Sequence, residues 1–296
     1  MSKSGFIAII GRPNVGKSTL LNALVGEKIA IVSNKPQTTR NRITGVLTRE
    51  DKQYIFMDTP GLHTPKTKLG DYMVKTVSGT INDVDAVVLV ADAGFPAGDI
   101  EKRIIKRLTA DEIPAVLVLN KVDKCTPEQV GKAIEEYASL YDFHSVIPLS
   151  ALKKDGVEIV LDETEAFLRD DTFFFPEDML TDQPERQIAA EIIREKILRT
   201  TDDEIPHGTA VTIQTFEEGD KLIKIEADII CERESHKRIL IGKRGETLKK
   251  IGTYAREDME ASFDTKVYLG LFVKVKEKWR DSSFNLSDLG YIIRKD

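Results

Sequence analysis

Gly11-Arg12-Pro13-Asn14-Val15-Gly16-Lys17-Ser18 decides how the first half of the chain is read. The spacing fits G-x-x-x-x-G-K-[ST], a loop whose successive backbone N–H groups point at phosphate oxygens. Residues 6–10 before it are a short apolar run of strand type, and residues 19–24 after it place Leu20, Leu21 and Leu24 at helical spacing. The loop therefore sits between a strand and a helix N-terminus, where unpaired amide donors and the helix dipole favour an anion.

Outward from the loop, residues 30–42 are polar, contain Pro36 and keep no period, so they read as a long exposed loop. Residues 43–48 and 54–57 read as a hairpin around the polar turn Arg49-Glu50-Asp51-Lys52. Its second strand runs into Asp58-Thr59-Pro60-Gly61. A carboxylate at such a strand end can hold Mg²⁺ through water, and a glycine there lets a backbone N–H approach a γ-phosphate. Apolar strands at 86–91, 115–119 and 146–149 each precede a helical segment, at about 99–108, 127–141 and 156–168. This alternation predicts an α/β domain with a mainly parallel sheet covered on both faces. Binding residues then belong at the carboxyl ends of the strands, where Asn120-Lys121-Val122-Asp123 and Ser150-Ala151 stand.

The stretch 169–184 is acidic and proline-containing, with Phe173, Phe174 and Phe175 embedded, and reads as a linker pinned to a surface. Beyond it the pattern predicts a helix (about 185–199), two alternating strands joined at 217–220, and Ile239-Leu240-Ile241-Gly242-Lys243-Arg244-Gly245. A helix with Leu248, Ile251, Ala255 and Met259 inward and a final strand with Val267 to Val275 on one face complete the chain. The expected division is 1–168, a linker at 169–184, and 185–296 including a C-terminal tail.

A chain of 296 residues has room for two cores, and 41% hydrophobic with 31% charged residues indicates a soluble globular protein. No run is long enough to cross a bilayer, residues 1–4 are not followed by a secretion signal, and Cys125 and Cys231 stand far apart. A reducing, cytoplasmic location is expected. The net charge of −6 hides an asymmetry: residues 236–280 hold twelve Lys/Arg against six Asp/Glu, or +6, which leaves −12 for the rest. Such a patch suits a localised polyanion site.

G-x-x-x-x-G-K-S, a threonine in the following loop, D-x-x-G, N-K-x-D and S-A, in this order, resemble the five guanine-nucleotide motifs of the translation-factor-like GTPases. The resemblance implies that Gly11, Arg12, Pro13, Asn14, Val15, Gly16, Lys17, Ser18 and Thr19 surround the phosphates of GTP. Lys17 would meet the β- and γ-phosphates and Ser18 would coordinate Mg²⁺. Asp58 would hold the metal through water, with Thr59, Pro60, Gly61 and Leu62 at the γ-phosphate end. Gln37, Thr38, Thr39, Arg40 and Asn41 would form a switch. Thr39, rather than Thr38, would close over metal and phosphate. Asn120, Lys121, Val122, Asp123, Ser150 and Ala151 would hold guanine, with Asp123 accepting from N1–H and the 2-amino group. Adenine lacks that donor pair, so a buried Asp123 would be left with an unpaired charge against ATP. Leu62 stands where many relatives have a water-orienting glutamine, which implies slow intrinsic hydrolysis. Asn14 resembles the asparagine that binds K⁺ in potassium-stimulated GTPases, although it could simply cap the loop. Arg40 and Arg42 are candidate fingers, or solvated loop residues.

The order of the second half looks like a type II KH domain of α+β class, in which G-x-x-G admits a nucleic-acid backbone and neighbouring apolar residues accept unstacked bases. Ile239, Ile241, Gly242, Lys243, Arg244, Gly245, Lys249 and Lys250 are then the candidate RNA contacts, and Trp279 either stacks a base or packs. The combination resembles the Era family of bacterial ribosome-assembly GTPases. Q-T-T-R-N at 37–41, D-T-P-G-L-H at 58–63, F-P-E-D at 175–178 and I-I-R-E-K at 192–196 strengthen the match. It implies a GTP-hydrolysing switch that binds the 3′ region of small-subunit ribosomal RNA and assists maturation of the small ribosomal subunit. Peripheral contact with the inner face of the cell membrane is implied as a minor property. The rivals are a constitutive RNA-binding scaffold with weak GTPase activity and a membrane-associated signalling GTPase.

Overall fold

The computed structural model describes residues 2–291; the last five residues of the expected tail lie outside them. Contacts divide the chain into two compact units: residues 1–32, 39–65 and 73–182, and residues 33–38, 66–72 and 183–296.

The first unit is built on β1 (Lys3–Ile10), β2 (Ile43–Arg49), β3 (Lys52–Asp58), β4 (Ala86–Asp92), β5 (Ala115–Asn120), β6 (Ser145–Leu149) and the short β7 (Arg169–Asp170). The order across the sheet is β2-β3-β1-β4-β5-β6. All pairings along it are parallel except the β2–β3 hairpin, and β7 adds antiparallel to the start of β1. Period-2 alternation sends the strand residues into two cores. Ile7, Ile9, Val88, Val90, Val116 and Val118 meet α1 (Lys17–Val25) and α5 (Val157–Thr164) on one face. Ala8, Ile10, Leu89, Leu117 and Leu119 meet the other helices: Val77 and Ile81 of α2 (Lys68–Asn82), Ile104 and Leu108 of α3 (Asp99–Ala110), and Tyr137 of α4 (Pro127–Leu140). The helix α2 is additional to the units expected from sequence, because Gly70, Gly79, Thr76 and Thr80 dilute its stripe. Segment 169–182 runs over this same unit. The Gln53 amide accepts from the Phe174 and Phe175 N–H groups and donates to the Phe175 carbonyl, and the Phe174 ring sits edge-on to Phe6 at 4.9 Å.

The second unit contains α6 (Glu185–Thr200), β8 (Ala210–Glu218), β9 (Leu222–Cys231), α7 (Glu234–Ile241), α8 (Glu246–Phe263), β10 (Lys266–Val275) and α9 (Ser283–Asp288). Its three-stranded sheet has the order β10-β9-β8, with β9–β10 parallel and β8–β9 antiparallel. Ile192, Ile193 and Ile197 of α6 and Ile251, Ala255 and Met259 of α8 cover one face of that sheet. Trp279 is fully buried and its indole N–H donates to the Gly208 carbonyl, so it packs and is not available to stack a base.

Candidate nucleotide site and nucleic-acid interface

In the first unit, residues 11–16 leave β1 at its carboxyl end and enter α1 through Gly16, at φ 100°. The glycines are demanded by close approach. A Cβ at Gly11 would stand 2.3 Å from the Val90 carbonyl oxygen, and one at Gly16 would stand 2.2 Å from Asn120 Nδ2. A Cβ at Gly61 would meet the Pro13 backbone at 2.7 Å, and the Leu62 N–H donates to the Gly11 carbonyl at 3.1 Å. The phosphate loop and the D-x-x-G loop are thus keyed together.

Lys17 is buried and donates to the carbonyls of Gly11 (3.1 Å) and Arg12 (2.9 Å). Burial lowers its pKa to about 8, against the pull of Asp58. Asp58 is fully buried, and burial raises its carboxyl to about 6 although Lys17, Ser18 and Thr39 all favour the ionised form. Ser18 Oγ donates to Asp58 Oδ2 at 2.6 Å and lies 2.9 Å from Thr39 Oγ1, which itself reaches Asp58 Oδ2 at 3.3 Å. Asp58 Oδ1 is buried with no hydrogen-bond partner. Two hydroxyls and one carboxylate with an unsatisfied oxygen make a hard-oxygen donor set, which fits Mg²⁺ completed by phosphate and water. No cluster of three or more His, Cys, Asp or Glu suited to a metal occurs among the described residues. Thr38 is placed differently, its hydroxyl donating to the Lys35 carbonyl.

Segment 30–42 departs from the exposed loop expected. Ala30, Ile31, Thr39 and Arg40 are buried, while Asn34, Pro36 and Arg42 are exposed. Arg40, at 1% exposure, is neither a solvated loop residue nor a mobile finger. The cause lies partly in α1, where the Asn22 amide accepts from the N–H groups of Ile29 and Ala30 and donates to the Ala30 carbonyl. Gln37 is partly buried, and Asn41 likewise.

The base end is equally connected. Buried Asn120 donates to the Val15 carbonyl at 2.7 Å and accepts from the N–H groups of Lys121 (2.8 Å) and Ala151 (3.0 Å). Lys121, in a left-handed backbone conformation, reaches the Asn14 carbonyl (2.6 Å) and the Asp92 carboxylate (2.8 Å). Asp92, at the end of β4, was not singled out from sequence; its signal is an acid at the carboxyl end of a parallel strand. Asp123 accepts from Ser150 Oγ at 2.7 Å, a bond that holds its carboxyl below the usual range. It is partly exposed rather than buried, so its unpaired charge becomes costly only once a base covers it. Of the remaining candidates, Arg12 is turned toward Glu101 (3.2 Å) and the Phe95 ring, and Thr59 donates to the Ile9 carbonyl. Pro60 and Val15 are buried, Val122 and Leu62 pack against the second core, and Asn14 is exposed at φ 63°.

In the second unit, α7 ends at Gly242 (φ 74°) and α8 begins after Gly245 (φ 82°), with Arg244 also left-handed between them. Lys243, Arg244, Lys249 and Lys250 are exposed, and none has an ion-pair partner among the described residues. Ile239 is half exposed and Ile241 partly so, beside that loop. The arrangement offers backbone, cations and apolar surface together, as a single-stranded nucleic-acid segment requires. No helix among the described residues is long and apolar enough to cross a membrane.

Comparison with known proteins agrees in both halves. A family model described as a 50S ribosome-binding GTPase matches residues 6–121, and a KH domain model matches residues 204–280. The chain is 52% identical to GTPase Era of Ruminiclostridium cellulolyticum over 295 residues, covering 99% of each. It is 50% identical to GTPase Era of Clostridium kluyveri over 292 residues, covering 98% of this chain and 100% of that one. A solved structure of Era in complex with MgGDPNP and nucleotides 1506-1542 of 16S ribosomal RNA superposes with a TM-score of 0.95 at 37% identity, covering 99% and 100%.

Proposed function

Because the chain belongs to the Era family of GTPases, we propose that it is a GTP-hydrolysing switch that binds the 3′ region of small-subunit ribosomal RNA and assists maturation of that subunit. The observation that carries the reading is the convergence of Ser18, Thr39 and Asp58 under the phosphate loop in a chain that also bears an exposed cationic G-x-x-G loop. The GTPase-domain model is named for the large subunit; the choice of the small one rests on the full-length relative crystallised with 16S RNA. The working division is residues 1–168 for GTP, 169–184 as linker and 185–296 for RNA.

The backbone N–H groups of residues 11–19, Pro13 excepted, receive the phosphates, and a phosphate oxygen displaces the Gly11 and Arg12 carbonyls from Lys17, stabilising the ammonium charge that burial disfavours. Bound Mg²⁺ supplies charge neutralisation at the β- and γ-phosphates. Ser18 and Thr39 hydroxyls would hold it, with Asp58 acting through water, and the Gly61 N–H would read the γ-phosphate. Asn120 ties the phosphate loop to the base loop, Asp123 accepts from guanine, and Lys121, Ser150 and Ala151 flank it. Leu62 packs away among apolar residues and cannot orient water, which supports slow turnover. We assign Asn14 as a K⁺ ligand supplying the charge an arginine finger gives elsewhere; equal GTPase rates in sodium and potassium buffers would dismiss it. The loop 33–42 and the linker change order with nucleotide and couple the GTP and RNA sites.

Crosslinking to RNA with a GTP analogue and with GDP tests the switch: strong crosslinks only in the GTP form are expected, and equal crosslinking removes it. The same sample floated with anionic vesicles tests peripheral membrane contact, for which the basic segment is the candidate surface.

A further inference from the structure

The G-x-x-G loop does not use all the nucleic-acid chemistry of the second unit. A cleft of about 340 Å³ lies between the C-terminal end of α6 and the outer face of α8, lined by Lys196, Arg199, Lys250, Tyr254, Glu257 and Asp258. Tyr254 is 46% exposed, and the Lys250 ammonium stands 5.8 Å from the centre of its ring. The ring thus offers an apolar face to solvent, with a polar edge, that a stacked base can cover. The floor is fixed by ion pairs: buried Lys196 sits between Glu195 and Asp258, and Arg199 pairs with Glu195 at 2.9 Å. Lys250 alone among the cleft's cations has no acid partner among the described residues, and Arg199 keeps a half-exposed guanidinium at the rim.

We propose that this cleft is a second nucleotide subsite, taking one unstacked base of the same RNA strand on Tyr254 and its phosphate at Lys250 and Arg199. Aromatic rings accept any base by stacking, and a cation beside the ring suits the adjoining phosphate. The carboxylates of Glu257 and Asp258 repel a continuing run of phosphates, so the cleft holds one base rather than a length of backbone. Lys250 lies on the first turns of α8, directly after the G-x-x-G loop, so one strand can engage the loop and then the cleft. The subsite rests on the reading of the G-x-x-G loop as an RNA clamp of about four nucleotides.

The test uses full-length protein with a non-hydrolysable GTP analogue and labelled single-stranded RNAs of about four and about ten nucleotides. Tyr254→Ala is expected to weaken the longer RNA about ten-fold and leave the shorter unchanged, with Tyr254→Phe restoring wild-type affinity. Gly242→Asp is expected to weaken both. An unchanged thermal midpoint for Tyr254→Ala excludes a folding effect at this exposed position. If Tyr254→Ala binds the longer RNA like wild type, or weakens both RNAs equally, while Gly242→Asp remains impaired, the second subsite is overturned and the clamp stands. Undiminished binding by Gly242→Asp overturns the clamp and this subsite with it.

Discussion

The two glycine loops of this chain solve opposite problems. In the nucleotide unit, the glycines of the phosphate loop are hemmed in by the Val90 carbonyl and the Asn120 amide. Charges there are buried, with Lys17 and Asp58 held away from their ordinary pKa values by desolvation. In the KH unit, Gly242 is crowded by Thr247 as it enters α8, but the Gly245 position has nothing within 4 Å, and the cations of the loop stand in solvent. A pre-assembled, desolvated site discriminates strongly and tolerates almost no change of shape. An open, charged loop binds by long-range attraction and adapts to its strand. One design sets which nucleotide is read, and the other sets how tightly a polyanion is held.

The largest effect comes from putting the same methyl group into both loops. Gly16→Ala places carbon 2.2 Å from the Asn120 side chain at a φ of +100°. Titration with a fluorescent GTP analogue should show affinity falling by more than about a hundred-fold, since both the loop and its tie to the base end must move. Gly245→Ala meets only backbone strain of about 1–2 kcal/mol, so RNA affinity should fall by no more than about ten-fold. Comparable losses at both glycines would break the contrast.

Asp123→Ala comes next. It removes the acceptor for guanine, so the GTP-over-ATP preference should collapse by about a hundred-fold or more in competition binding. ATP affinity itself should not fall. A preference that survives would place guanine recognition elsewhere.

These residues differ in how far the sequence revealed them. The loop, D-x-x-G, N-K-x-D and S-A motifs are local, and each sits at the end of an apolar strand that its own residues specify, so the strands and the site were readable together. Arg40 was not. A charged residue in a polar, proline-containing stretch reads as solvated, and nothing in its local sequence signals its burial. Trp279 was left open for the same reason, because its partner at Gly208 is 71 residues away. The helix α2 carries Val77 and Ile81 four apart, but Gly70 and Gly79 lower local helix propensity, and packing on the sheet overrides it. Asp92 shows the reverse case: its position was visible as a strand end, and only the contact with Lys121 gave it a role.

The exposed loop should reveal itself through salt. Changing Lys243 and Arg244 together to Gln should cut RNA affinity by about ten-fold at low salt and flatten the salt dependence by about two phosphate contacts. GTP hydrolysis without RNA should not change. In the buried site the corresponding control is pH. Mg²⁺ needs ionised Asp58, whose carboxyl is raised to about 6, so protons compete below that value. The Mg²⁺ concentration giving half-maximal GTPase activity should rise about ten-fold per pH unit below 6 and stay flat above it. The RNA loop has no group of this kind and should bind equally across the same range.

The smallest effect sharpens the comparison most, because it separates charge from orientation in the nucleotide site. Ser150 Oγ is the first cause of the depressed Asp123 carboxyl. In Ser150→Ala the carboxyl returns toward its ordinary value. A depressed pKa keeps the acid ionised to lower pH, so its loss does nothing to the charge at pH 7 and matters only as the pH falls toward the carboxylate range. At pH 7 the variant therefore loses only the bond that aims the carboxylate, and GTP affinity should weaken no more than a few-fold. Lowering the pH should make the variant lose affinity before wild type does. If the two profiles are parallel, Ser150 orients Asp123 without tuning it.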